Sequence, residues 1–160
     1  MNLKAIVTHA IEQQNILNQY ERLADIYSGN LVSYVKVELA KELSESAFKI
    51  ASQRIASINL IERITNKLSK VYSDTPARAT LSDSDTQIIG EYSSKADVQN
   101  VMAQAEIVLN LNKHFALEPY LNNGTINVRV LAPHEFTVYS ENEKDPKAMT
   151  AFVKYMGSMV

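Results

Sequence analysis

Apolar residues recur at steps of three and four over residues 3–27, where Leu3, Ile6, Val7, Ala10, Ile11, Leu17, Tyr20, Ala24 and Tyr27 line one face of an amphipathic helix. Ser28-Gly29-Asn30 predicts where it ends. A second helix is expected over residues 31–43, with Ser44-Glu45-Ser46 breaking it. Phe48, Ala51, Ile55, Ile58, Ile61, Ile64, Leu68 and Tyr72 then keep helical spacing on a single face. That pattern predicts a third helix, stopped at Ser73-Asp74-Thr75-Pro76 because a proline pushes the residue before it out of α geometry.

The period dissolves beyond that turn. Ser82-Asp83-Ser84-Asp85-Thr86 is polar and aperiodic, so residues 77–94 are expected to form a loop. Order restarts at Ser94, which precedes Asp97 at a capping-box spacing, and Val98, Val101, Met102, Ala105, Val108 and Leu109 form one apolar helix face. After His114 the period changes to two: Ile126, Val128 and Val130 alternate with Asn127 and Arg129. Asn123-Gly124 ahead of them is a strong hairpin-turn signal. Residues 136–140 and 150–156 supply two more strands around Asp145-Pro146. The reading is α+β in one region: 1–76 helical, 77–94 loop, 95–114 helix and 115–160 β-rich, the strands forming a small antiparallel sheet. The chain reaches Gly157-Ser158-Met159-Val160 directly after a strand, which reads as a piece of a longer protein.

Composition narrows the chemistry. With 160 residues, 46% of them hydrophobic, the chain can bury one ordinary core. A formal net charge of −2 is not the strongly basic balance of a protein that grips nucleic acid over its whole surface. There are no cysteines, so disulfides, thiolate zinc sites and a cysteine nucleophile are excluded. Lys4, His9 and Glu12 interrupt the N-terminus before an apolar run develops, and no segment has the unbroken apolar length that a bilayer demands. Asn123-Gly124-Thr125 matches a glycosylation sequon and is read as the turn.

Catalytic patterns are not found. Four glycines form neither a Walker loop nor GxGxxG, and no serine sits in GxSxG. His9, His114 and His134 share no metal-ligand spacing; His134-Glu135 opens like a zinc-protease helix, but no second histidine follows and Pro133 sets it at a strand corner. Asp83 and Asp85 have a spacing seen in calcium loops and lack the glycine and distal glutamate, so they read as a solvated loop. No catalytic, cofactor-binding or metal residue is assigned, and the chain is expected not to be an enzyme.

Charge and aromatic placement say more. Arg63, Lys67 and Lys70 lie at steps of four and three along one side of a helix, with Arg54 further back and Glu62 beside them. Such a row can track phosphates, and it can equally meet a neighbouring subunit. Eight tyrosines against four phenylalanines and no tryptophan suit surfaces packed at one end and wet at the other, and Tyr20, Tyr27, Tyr34 and Tyr72 fall on the helices. Tyr27, Arg63, Lys67 and Tyr72 are the candidate subunit-interface residues.

The order of these elements resembles the N-terminal, wing part of tailed-bacteriophage portal proteins. Ile26-Tyr27-Ser28-Gly29-Asn30 looks like their tyrosine-glycine element, Asn59 like the asparagine of the following helix, and Val71-Tyr72-Ser73-Asp74-Thr75-Pro76 like the proline turn after it. Ala132-Pro133-His134-Glu135-Phe136-Thr137-Val138-Tyr139 is similar to a proline-acidic corner leading into a strand. The resemblance implies a structural subunit of a ring at the capsid vertex, twelve copies to a ring, that gives viral double-stranded DNA its passage during packaging and ejection. It implies capsid, head-tail adaptor and terminase as partners, and a place in the virion and, during assembly, the host cytoplasm. It implies no cofactor and carries over no site residue. From other classes, a helical adaptor that binds a protein partner is the alternative, and a hydrolase lacking its catalytic part comes third.

Overall fold

The computed structural model describes residues 2–74, 76–77, 79–80, 82–142 and 148–155. These form seven helices and then four strands: α1 Leu3–Glu12, α2 Gln14–Tyr27, α3 Leu31–Glu42, α4 Glu45–Ser52, α5 Leu60–Leu68, α6 Asp83–Lys95, α7 Val98–Asn112, β1 Ala116–Asn122, β2 Thr125–Leu131, β3 Phe136–Tyr139 and β4 Ala151–Lys154. A single 3-10 turn, Pro133–Glu135, links β2 to β3. Helices followed by a small antiparallel region make this an α+β fold.

Several elements differ from their expected course. The first apolar stripe covers two helices, because the chain turns at Gln13, whose N–H still bonds to His9 O at 3.0 Å while α2 begins beyond it. The stripe from Phe48 to Tyr72 is also two helices. α4 ends at Ser52, and α5 starts only where Asn59 accepts the Glu62 N–H at 3.0 Å, an N-cap that satisfies one of the free donors of the first turn. α5 closes at Leu68, ahead of the proline turn, with the Ser69 N–H on Thr65 O at 2.9 Å.

The expected loop over residues 77–94 holds a 13-residue helix, α6. Asp83 and Asp85 sit in its first turn, where negative charge meets the positive end of the helix dipole, so these carboxylates serve a helix start and not an open loop. Ser94 lies inside α6. The corner to α7 is made instead by Asp97, held left-handed at φ 50°, with its carboxylate accepting from Asn100 Nδ2 at 2.9 and 2.8 Å.

The strands form two ladders where a single sheet was expected. β1 and β2 pair antiparallel from Ala116↔Leu131 to Asn122↔Thr125, and β3 pairs with β4 from Phe136↔Lys154 to Tyr139↔Ala151. The first turn is where the sequence places it. Asn123 at φ 49° and Gly124 at φ 77° supply the two positive φ values of the tight hairpin turn that matches strand twist. Asp145-Pro146, Met156 and residues 157–160 lie outside the described residues.

The core gathers around the corner between β2 and β3. Leu131 and Pro133 are almost completely enclosed, and Phe136, Ile6 of α1, Leu17 of α2 and Ala105 of α7 are buried as well. Glu135 shapes the corner: its Oε2 accepts the Ala132 N–H at 2.7 Å and its carbonyl takes the Tyr155 N–H at 2.8 Å. Aromatic rings extend the packing, with Phe136 stacked on Phe152 at 5.1 Å and His114 edge-on to both Tyr20 and Phe136. One carboxylate ties the two ladders together. Glu118 on β1 receives Lys154 Nζ from β4 at 2.8 and 2.9 Å, and also the Arg129 guanidinium from β2.

Candidate interaction surface

All four candidate interface residues lie on α5 or against its ends. Asn59 fixes that helix. While its Oδ1 caps the first turn, its Nδ2 donates to the carbonyls of Ile26 at 2.9 Å and Tyr27 at 2.8 Å at the end of α2, where Ile26 O also takes the Gly29 N–H at 3.1 Å. One side chain thereby closes the end of one helix and the start of another, and two segments 32 residues apart are joined. Tyr27 reinforces the joint by donating its hydroxyl to Asn66 Oδ1 at 2.7 Å. Burial pushes its phenol above the ordinary tyrosine range, and the nearby Glu62 charge adds to the shift.

On its other side α5 is held to α7. Asn110 Nδ2 donates to Ser69 Oγ at 2.9 Å, and the two oxygens of Glu106 accept the N–H groups of Val71 and Tyr72 at 3.0 and 3.2 Å. Gln99 Nε2 donates to Tyr72 O at 2.6 Å. The backbone of Tyr72 is therefore bound on both sides, and this residue reads as an anchor of the turn. Thr65 is the buried residue of α5.

The inward face of α5 carries the buried Thr65 and the half-buried Ile61 and Ser69, while three of its large apolar residues look outward. Leu60, Ile64 and Leu68 stand 60%, 58% and 63% exposed, a ridge at every fourth position, with Ile58 and Val71 bare at its two ends. Ile58, Ile64 and Leu68, which helical spacing groups on one stripe, are thus exposed. Periodicity finds the stripe but does not say whether the fold covers it, and the polar anchoring through Thr65, Ser69 and Asn66 settles which side turns inward. Arg63 and Lys67, each one position before a ridge residue, are exposed and make no ion pair among the described residues.

A second surface lies on α3. None of its residues is buried. Leu31, Val35 and Leu39, again at every fourth position, floor a groove of about 260 Å³ whose rim carries Glu38 and Glu42. Arg22 and Tyr34 close one end, the guanidinium 4.9 Å from the ring centre, while the Tyr34 hydroxyl donates to Asp25 Oδ2 at 2.7 Å. That hydrogen bond raises the Tyr34 phenol above its usual range.

The histidines are spread over the fold. His9 Nε2 lies 3.1 Å from Val138 O, His114 is in the aromatic cluster, and His134 is on the 3-10 turn with a buried Nδ1 that has no partner among the described residues. No group of three or more His, Cys, Asp or Glu able to hold a metal is found among the described residues. No described helix is long and apolar enough to cross a membrane.

Comparison with known proteins gives no family: no family model matches the chain, and neither a curated protein nor a solved structure matches it.

Proposed function

We propose that this chain is a structural subunit of a phage portal ring, the wing part of a protein that surrounds the DNA passage at the capsid vertex. The observation that carries the reading is the apolar surface left uncovered on α5. Leu60, Ile64 and Leu68 of α5 stand 60%, 58% and 63% exposed, with Ile58 and Val71 bare beyond its two ends. A bare apolar ridge such as this one is of the kind that lateral neighbours bury in a ring. The portal-like order of elements supplies the rest of the proposal, and its two helical signatures touch: Asn59 bonds directly to Ile26 and Tyr27. Capsid, head-tail adaptor and terminase are the partners in this reading, double-stranded DNA is what passes through, and the site of action is the virion, reached from the host cytoplasm.

Negative-stain imaging together with mass photometry of the purified protein tests it. Closed rings of about a dozen copies are the expected result, and a protein that stays monomeric at every concentration overturns the reading. The groove on α3 favours a helical adaptor as second reading, in which case a monomer binds one partner protein at 1:1 stoichiometry.

A further inference from the structure

We infer that the exposed ridge of α5 and the half-buried groove along α3 are complementary, so that the α5 ridge of one copy seats antiparallel in the α3 groove of the next. The inference rests on the ring reading and deepens it by assigning the two faces of the contact. Both surfaces repeat apolar residues at every fourth position, Leu60, Ile64 and Leu68 on one and Leu31, Val35 and Leu39 on the other, so ridge and groove share a pitch and can interdigitate. Their charges are opposite. Arg63 and Lys67 precede Ile64 and Leu68 by one position, while Glu38 and Glu42 precede Leu39 and Leu43 by one. Two helices facing each other bring such same-side flanks together only when they run antiparallel, which pairs the basic row with the acidic one.

Existing contacts do not oppose this arrangement. Among the described residues Glu38 pairs with Lys41, three residues on, in an exposed pair that is worth little, and Arg22 is committed to the Tyr34 ring. Arg63 and Lys67 have no ion-pair partner to give up among the described residues. The two surfaces are on different helices, so the contact is heterologous: each copy offers a ridge to one neighbour and a groove to the other, the arrangement that builds rings or open chains.

A charge exchange tests it by sedimentation velocity. R63E together with K67E reverses the ridge, and E38K together with E42K reverses the groove. Each double variant alone is expected to associate roughly tenfold or more weakly than the wild type, with an unchanged melting midpoint because exposed charges add little to folding. A 1:1 mixture of the two is expected to regain association, since the acidic ridge of the first fits the basic groove of the second and the unaltered ridge of the second fits the unaltered groove of the first. Wild-type-like assembly by both double variants overturns the inference and leaves the ring reading standing. Weakened variants that the mixture fails to rescue also overturn it, as they do if a different protein is what fills the groove. A wild-type chain monomeric at all concentrations overturns both.

Discussion

The corner between β2 and β3 and the face of α5 are built by opposite means. At the corner Leu131, Pro133 and Phe136 are buried among residues from three helices, and hydrophobic burial does the holding. On α5 Leu60, Ile64 and Leu68 point away from the chain, and Asn59, Asn66 and Ser69 do much of the holding through hydrogen bonds, beside the buried Thr65 and the half-buried Ile61. Apolar burial is non-directional and adds up with area, whereas amide hydrogen bonds set position and direction for about 1 kcal/mol each. The corner therefore supplies stability. The α5 joint aims a helix whose apolar surface is kept for something else.

The sharpest way to break this contrast is Leu131→Ala, which leaves a cavity in the best enclosed part of the core. A loss of about 2–5 kcal/mol is expected in chemical denaturation. A loss below 1 kcal/mol there would show that the corner is not the stabilising region. Asn59→Ala comes next, removing an N-cap and two bonds to the end of α2, for about 1–3 kcal/mol. Amide exchange should quicken in α5 and at the end of α2 before it does in α7, and uniform exchange would contradict the idea of a local joint.

The third test is a titration. Arg129 first, and then Lys154, hold the Glu118 carboxyl down at about 2 from its ordinary 4.5. A carboxylate depressed in the folded state contributes stability that is complete above the unfolded value and fades as pH falls. The contribution of Glu118 should therefore be full above about 4.5 and be lost on acidification toward about 2. Glu118→Gln should flatten that part of the stability–pH curve, and an unaltered slope would mean the three charges act without coupling. The smallest effect on folding belongs to Ile64→Ser. Stability should stay within about 0.5 kcal/mol of wild type, since an exposed side chain is being exchanged, while self-association falls. A large drop in melting midpoint would mean that the α5 ridge belongs to the chain's own core.

The sequence made legible what depends on neighbours along the chain. Asn123-Gly124 specifies its turn through local backbone preference, and the structure has positive φ at both residues. Gly29 likewise appears where the second helix ends, at φ 99°. What depends on distant neighbours was hidden. α6 combines Gly90 with many serines and acidic residues, so its apolar pattern is thin; its one local signal was the pair of carboxylates in the first turn. The break after Ser52 follows from Asn59 reaching α2, a contact without any trace in hydrophobic spacing. The spacing of Arg63 and Lys67 placed both on one side of α5, whereas the bonds of the Tyr27 hydroxyl to Asn66 and of the Tyr72 backbone to Glu106 and Gln99, and the exposed ridge beside the charges, became visible only with the fold.

The attachment of α1 has a consequence for the order in which the chain matures. Ile6 is buried, His9 meets Val138 O, and the Tyr155 hydroxyl donates to Ala10 O, the last two contacts spanning 129 and 145 residues. During synthesis α1 is made well before its docking site, which lies more than a hundred residues further along the chain. At roughly 5–20 residues per second it waits on the order of ten seconds with Ile6 unshielded. Its short length and the turn at Gln13 let it wait as a separate unit, swinging in only when the corner has formed.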